Sequence, residues 1–144
     1  MVENDTVRLL RECDAGAKMG VESIDDVLGH VKSEGLMGVL KDCKNKHDSI
    51  SSEIRDALHE YHDSGKDPAP IAKGMSWMKT NAKLAIEDGD ATVADLITDG
   101  CNMGVKSLSR YLNKYQAADE GSKNIASRLI GIEEALAKDV RSYL

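Results

Sequence analysis

Residues 33–62 read SEGLMGVLKDCKNKHDSISSEIRDALHEYH. Within them Leu36, Leu40, Cys43, His47, Ile50, Ile54, Leu58 and Tyr61 recur three and four apart. That period lays them along one face of a single helix of about 28 residues, roughly 40 Å long at a 1.5 Å rise. Ser33 is the expected N-cap, and Glu34 sits in the first turn, where a carboxylate meets the positive end of the helix dipole. The pattern stops at His62. Asp63-Ser-Gly-Lys-Asp-Pro-Ala-Pro70 follows, with the Gly and Pro content of a loop. One apolar stripe of this length needs neighbouring helices to bury it.

Those neighbours lie on either side in the chain. Upstream, Val7, Leu10, Ala17, Val21, Ile24, Leu28 and Val31 form a stripe that includes Asp14, with Asn4 or Asp5 as the expected cap and an end near Lys32. Downstream, a short stripe of Ile71, Met75, Met78, Ala82 and Ala85, with Trp77 beside it, stops at Glu87-Asp-Gly-Asp90. A long stripe of Val93, Ile97, Cys101, Gly104, Leu108, Tyr111 and Tyr115 comes next. The last is Ile125, Leu129, Ile132, Leu136, Val140 and Tyr143, after the cap-rich Asp119-Glu-Gly-Ser122. Long helices joined by short loops pack antiparallel. The expected fold is an all-α antiparallel four-helix bundle with an additional short helix, one domain over residues 1–144.

Composition agrees and narrows the function classes. The chain has 144 residues, 41% hydrophobic and 31% charged, which suits a single buried core. Aromatics are 3% with no Phe, which argues against a sandwich or barrel. The net charge is −6, and Lys and Arg form no run that could track a phosphate backbone, so nucleic acid is not an expected partner. The longest stretches without a charged residue, Gly35–Leu40 and Gly100–Val105, are far too short to span a membrane. The first residues are charged from Glu3 onward and lack a signal-peptide apolar stretch, and the three Cys (13, 43 and 101) are widely separated. These features point to reduced thiols and a cytoplasmic protein.

Candidate chemistry is sparse. A di-metal site in a bundle needs a Glu from each of two helices and a Glu-x-x-His from each of two others, and no Glu-x-x-His occurs. Asp14 and His47 are polar residues on apolar stripes, and either pair with each other inside the bundle or find other buried partners, since an unpaired buried carboxylate is costly. Asp56, His59 and His62 have metal-compatible spacing but also suit a helix C-terminus. Asp88-Gly-Asp90 opens like a calcium loop, yet Val93 and Asp99 stand where the required Gly and Glu would be. His30 invites a phosphotransfer reading without the expected residues after it. Met75, Trp77 and Met78 read as core or as the seam of a homodimer. Cys43 and Cys101 read as small buried hydrophobes. No Ser/His/Asp or Cys/His set is suggested locally, so no catalytic, cofactor-binding or metal residue is assigned.

Three segments carry a resemblance: Leu10-Arg-Glu-Cys-Asp-Ala-Gly-Ala-Lys-Met-Gly-Val21, Asp99-Gly-Cys-Asn-Met-Gly-Val-Lys-Ser-Leu-Ser-Arg-Tyr111 and Ile132-Glu-Glu-Ala-Leu-Ala-Lys-Asp-Val-Arg-Ser-Tyr-Leu144. With the helices placed, the chain from about Val7 to Leu144 resembles the ferritin-like superfamily, and most of all its small bacterial four-helix members. The resemblance implies a di-metal centre, which these residues do not supply. The family's first-helix ligand would fall near Asp14 or Ala17, and the second helix has Lys44-x-x-His47 with Lys for Glu. Gly104 or Val105 stands for the third-helix Glu, and Leu136 or Ala137 for the last His. The expectation is a non-catalytic binding or structural bundle that has lost the metal site, with a stress-related role implied by the resemblance and an unidentified protein as its partner. The alternative is a metal protein with a reduced site around Asp14, His47 and Glu133 or Glu134.

Overall fold

In the computed structural model, residues 2–68, 80–85 and 87–144 are described. Four long helices carry the fold: α1 (Val2–Leu28), α2 (Glu34–Glu60), α3 (Asp90–Lys114) and α4 (Glu120–Asp139). A single 3-10 turn, Arg141–Tyr143, ends the chain. Residues 80–85 are helical, and Leu84 there is buried. No strand occurs among the described residues. Met75, Trp77 and Met78 lie outside the described residues, and so does most of the segment where the short helix is expected.

The helix directions follow from which residues share a cluster. One apolar cluster joins Leu9 and Leu10 of α1 to Ile54 and Leu58 of α2, Leu108 of α3 and Ile125 and Leu129 of α4. The other joins Ile24 and Val27 to Leu36 and Leu40, Val93 and Ile97, and Leu136 and Val140. So α1 and α4 run one way, and α2 and α3 run the other. Short turns reverse the chain between α1 and α2 and between α3 and α4. The connection from α2 to α3 must carry the chain back along the full length of the bundle. Around the bundle, α1 packs on α2 and α3, α4 packs on α2 and α3, and α1 reaches α4 across the middle.

Local chemistry sets the helix ends. Ser33 Oγ accepts from Leu36 N at 3.4 Å, as its cap position requires. Asp119 caps α4 by accepting from Ser122 N at 2.8 Å. At α1 the caps differ from expectation. The helix starts at Val2, so Asn4 and Asp5 lie inside it. Asp5 instead accepts from Ala117 N at 3.0 Å, and Thr6 Oγ accepts from Asp119 N at 2.9 Å, fixing the α3–α4 turn. The other end of α1 comes at Leu28 rather than Lys32. There the Asp90 carboxylate accepts from Lys32 N at 2.7 Å and Ser33 N at 3.0 Å, which draws both amides out of the helix.

Ion pairs hold the start of the α2–α3 connection on α1. Arg11 donates to Asp63 from both Nε (2.9 Å) and Nη2 (2.5 Å), and Lys66 pairs with Glu12 at 2.5 Å. Lys18 reaches both Asp14 (2.8 Å) and Asp67 (3.0 Å). Gly65 has φ +89°, and a Cβ there would collide with the Asp14 carboxylate. Only glycine meets both demands without strain.

Candidate functional site

The two apolar clusters are separated by a polar layer halfway along the bundle. On α2, His47 falls between Cys43 and Ile50. On α4, Glu133 falls between Leu129 and Leu136. His47 is fully buried, and Glu133 is 8% exposed. Their side chains meet, His47 Nε2 lying 2.5 Å from Glu133 Oε1. The other ring nitrogen, Nδ1, lies 2.8 Å from the Cys43 carbonyl oxygen and donates to it. That bond leaves Nε2 to share a proton with the carboxylate. Burial alone opposes charge on the imidazole, but the Cys43 side chain and Glu133 outweigh it and lift the ring to about 10. The pair is an imidazolium on a carboxylate at neutral pH.

Glycines make room for the pair. A Cβ on Gly20 of α1 would stand 2.5 Å from His47 Nε2. A Cβ on Gly104 of α3 would stand 3.5 Å from Glu133 Cγ and Oε2. Cys101 completes the layer. Burial first, and then the nearby Glu133 charge, push its thiol well above the ordinary range, so it stays protonated and turns toward the carboxylate. An inert thiol follows.

Glu133 forms part of the floor of a cavity of about 330 Å³ between α1 and α3. Its walls are apolar, with Met19, Ile24, Leu96, Ile97, Leu108 and Leu129 prominent. The space exists because small residues face it from both helices: Ala15, Gly16 and Gly20 on α1, and Gly100 and Gly104 on α3. A Cβ on Gly100 would meet nothing within 4 Å. Glu12, Lys66, Tyr111 and Pro68 lie at one end, where Glu12 and Lys66 neutralise each other. A volume at the lower end of the ligand-pocket range, apolar walls and a polar floor suit a small organic molecule.

Of the two readings of Asp14 and His47 the second holds: they do not pair with each other, and each has another partner. Asp14 is 1% exposed, but Lys18 Nζ (2.8 Å) and Lys66 N (2.9 Å) both engage its Oδ2, at the α2–α3 connection. Its Oδ1 is buried without a hydrogen-bond partner. His47 meets Glu133 instead, and Glu134 is exposed. Lys44 turns outward to Asp25 at 2.6 Å, so it does not bear on the layer. The donors needed for a di-metal centre are not assembled. Glycines stand beside both His47 and Glu133, and no group of three or more His, Cys, Asp and Glu among the described residues could hold a metal ion. Asp56, His59 and His62 are exposed at the end of α2. His30 lies past the end of α1, its Nδ1 2.9 Å from Asp88. Asp90 is committed to the amides of Lys32 and Ser33.

Sequence reasoning missed the cavity. Its signal is glycine at i and i+4 on two stripes, 16 and 20 on α1 and 100 and 104 on α3, at positions where a bundle normally carries side chains. No helix among the described residues is long and apolar enough to cross a membrane. The chain matches no protein-family model, no curated protein and no solved structure.

Proposed function

We propose that this chain is a non-catalytic binding bundle that holds a small, mainly apolar molecule between α1 and α3. The observation that carries this reading is the 330 Å³ cavity ending on the buried His47–Glu133 pair. The cavity is partly open to solvent, with exposed Met103 and Gly100 on its lining, and it leaves apolar wall in contact with water. Two pairs of glycines on facing helices hold it open, although Ala would favour both helices. A ligand would cover that wall.

The ferritin-like resemblance fits the same reading. One long connection between two helices that run the same way is the connectivity of that group. Gly104 then stands where a third-helix carboxylate ligand would project, and Gly20 of α1 leaves room beside His47. On this reading the metal layer has been replaced by a self-neutralised polar pair and the space around it. Fold alone does not carry the function, so the cavity bears the argument.

The test is fluorescence titration with N-phenyl-1-naphthylamine, a neutral probe that brightens in apolar surroundings. Wild-type protein should bind it saturably. Gly16→Leu, which fills the cavity from α1, should abolish the signal while leaving the helical circular dichroism intact. Equal brightening in both proteins would refute a ligand in this cavity.

A further inference from the structure

We propose that the cavity selects a neutral, hydroxyl-headed amphiphile, with its hydroxyl donating to Glu133 and its apolar part on the walls. This rests on the binding reading above and adds the chemical class of the ligand.

Charge selection follows from the ion pairs. Among the described residues, two carboxylates and two cationic groups line the cavity, and each is already matched. Glu133 is bound by His47 at 2.5 Å on the floor, and Glu12 by Lys66 at 2.5 Å at the end of the cavity. A ligand ammonium would leave water for a carboxylate whose charge is already compensated. A ligand carboxylate would meet no unmatched cation among the described residues and would face Glu133. Either charged headgroup loses hydration without a matching partner. A hydroxyl loses far less, and the carboxylate edge not taken by His47 is a strong acceptor.

The polarity also has a direction. His47 is fully buried behind Glu133, so the carboxylate presents the accessible polar edge of the floor. The accepting edge of Glu133 calls for a donor, which a hydroxyl supplies, and the same hydroxyl can also bond the Ser23 and Ser107 hydroxyls that line the cavity. Cys101 is the one thiol beside it, and a thiol is a weak donor that a hydroxyl displaces readily.

The experiment is displacement of bound N-phenyl-1-naphthylamine by decan-1-ol, decylamine and decanoate, which share one chain and differ in headgroup. Decan-1-ol should compete at least tenfold better than either charged compound. Glu133→Gln keeps the shape but replaces the charged acceptor with a neutral amide. Measured against that variant's own affinity for the probe, decan-1-ol should compete about tenfold less well, the difference between hydrogen bonds to charged and neutral acceptors. Failure of the probe to bind wild-type protein would reject the binding reading itself. Probe binding with decylamine or decanoate competing as well as the alcohol would leave that reading standing and overturn the headgroup assignment. So would an unchanged alcohol affinity in Glu133→Gln.

Discussion

Glycine-to-alanine substitution at three points gives a graded test of the buried pair. Gly16, Gly20 and Gly104 all lie inside helices, where Ala is favoured over Gly by about 0.5–1 kcal/mol. What each added methyl meets decides the sign. At Gly16 it would lie 3.9 Å from Leu108 and Leu129, an ordinary contact, so Gly16→Ala should gain up to about 1 kcal/mol. At Gly104 the nearest atoms belong to Glu133 at 3.5 Å, and the change should be close to neutral or slightly favourable. At Gly20 the methyl would stand 2.5 Å from His47 Nε2. The ring cannot retreat cheaply, because it is fully buried and held at both nitrogens.

Moving the ring would break the bond to Glu133 and leave a buried carboxylate uncompensated. Such losses cost about 3–5 kcal/mol. Set against the helix gain, Gly20→Ala should lose about 2–4 kcal/mol. With a urea slope of about 2 kcal/mol per molar, its midpoint should fall by about 1–2 M. The assay is equilibrium urea unfolding of all three variants followed by circular dichroism. Gly20→Ala as stable as Gly16→Ala would refute the claim that His47 is locked against α1.

Other consequences of the geometry are open to measurement. His47 is held near 10 in the fold against an ordinary 6.5, so its stabilisation is complete below about 6.5 and is lost as pH rises through 10. Stability should therefore fall by about 1.4 kcal/mol per pH unit between pH 7 and 8.5, and His47→Gln should flatten that slope. The window stops short of 9, above which the buried Cys13 thiol, pushed up to about 12 chiefly by burial, adds an alkaline loss of its own. Asp119→Ala removes the acceptor for Ser122 N and should cost about 1–2 kcal/mol in thermal or urea unfolding. Arg128→Ala breaks a forked contact with Glu53, but both side chains are about half exposed, so the loss should stay below about 1 kcal/mol.

The stripes that define the bundle were readable because burial on a helix repeats every three or four residues. Leu36, Leu40, Cys43, His47, Ile50, Ile54 and Leu58 are buried as their spacing requires. On α1 the stripe was drawn too narrow: Leu9, Cys13 and Val27 are also buried, because α1 touches three neighbours rather than one. On α4, Ile132 is partly buried and packs against both clusters, as its place on the stripe requires, while Glu133 beside it, a charged residue at a core position, was not placed in the stripe. Helix ends were less legible, because Asp5 and Asp90 give their carboxylates to backbone amides 112 and 58 residues away.

The site shows why local pattern cannot name partners. Asp14 and His47 were both correctly read as buried polar residues, and each has a partner that no spacing rule reveals. For His47 it is Glu133, 86 residues on. For Asp14 it includes the backbone amide of Lys66, held by a connection whose course depends on Gly65. An absence was harder still to read. Where a bundle layer would carry inward side chains from all four helices, here α2 and α4 supply His47 and Glu133, while α1 and α3 supply Gly20 and Gly104. Two polar groups on one side of a layer, with only the small Cys101 thiol from the other, do not fill it, so His47 and Glu133 satisfy each other beside a cavity with a polar floor. The proposed ligand site rests on that arrangement: mainly apolar walls, paired charges and the carboxylate of Glu133 at the floor.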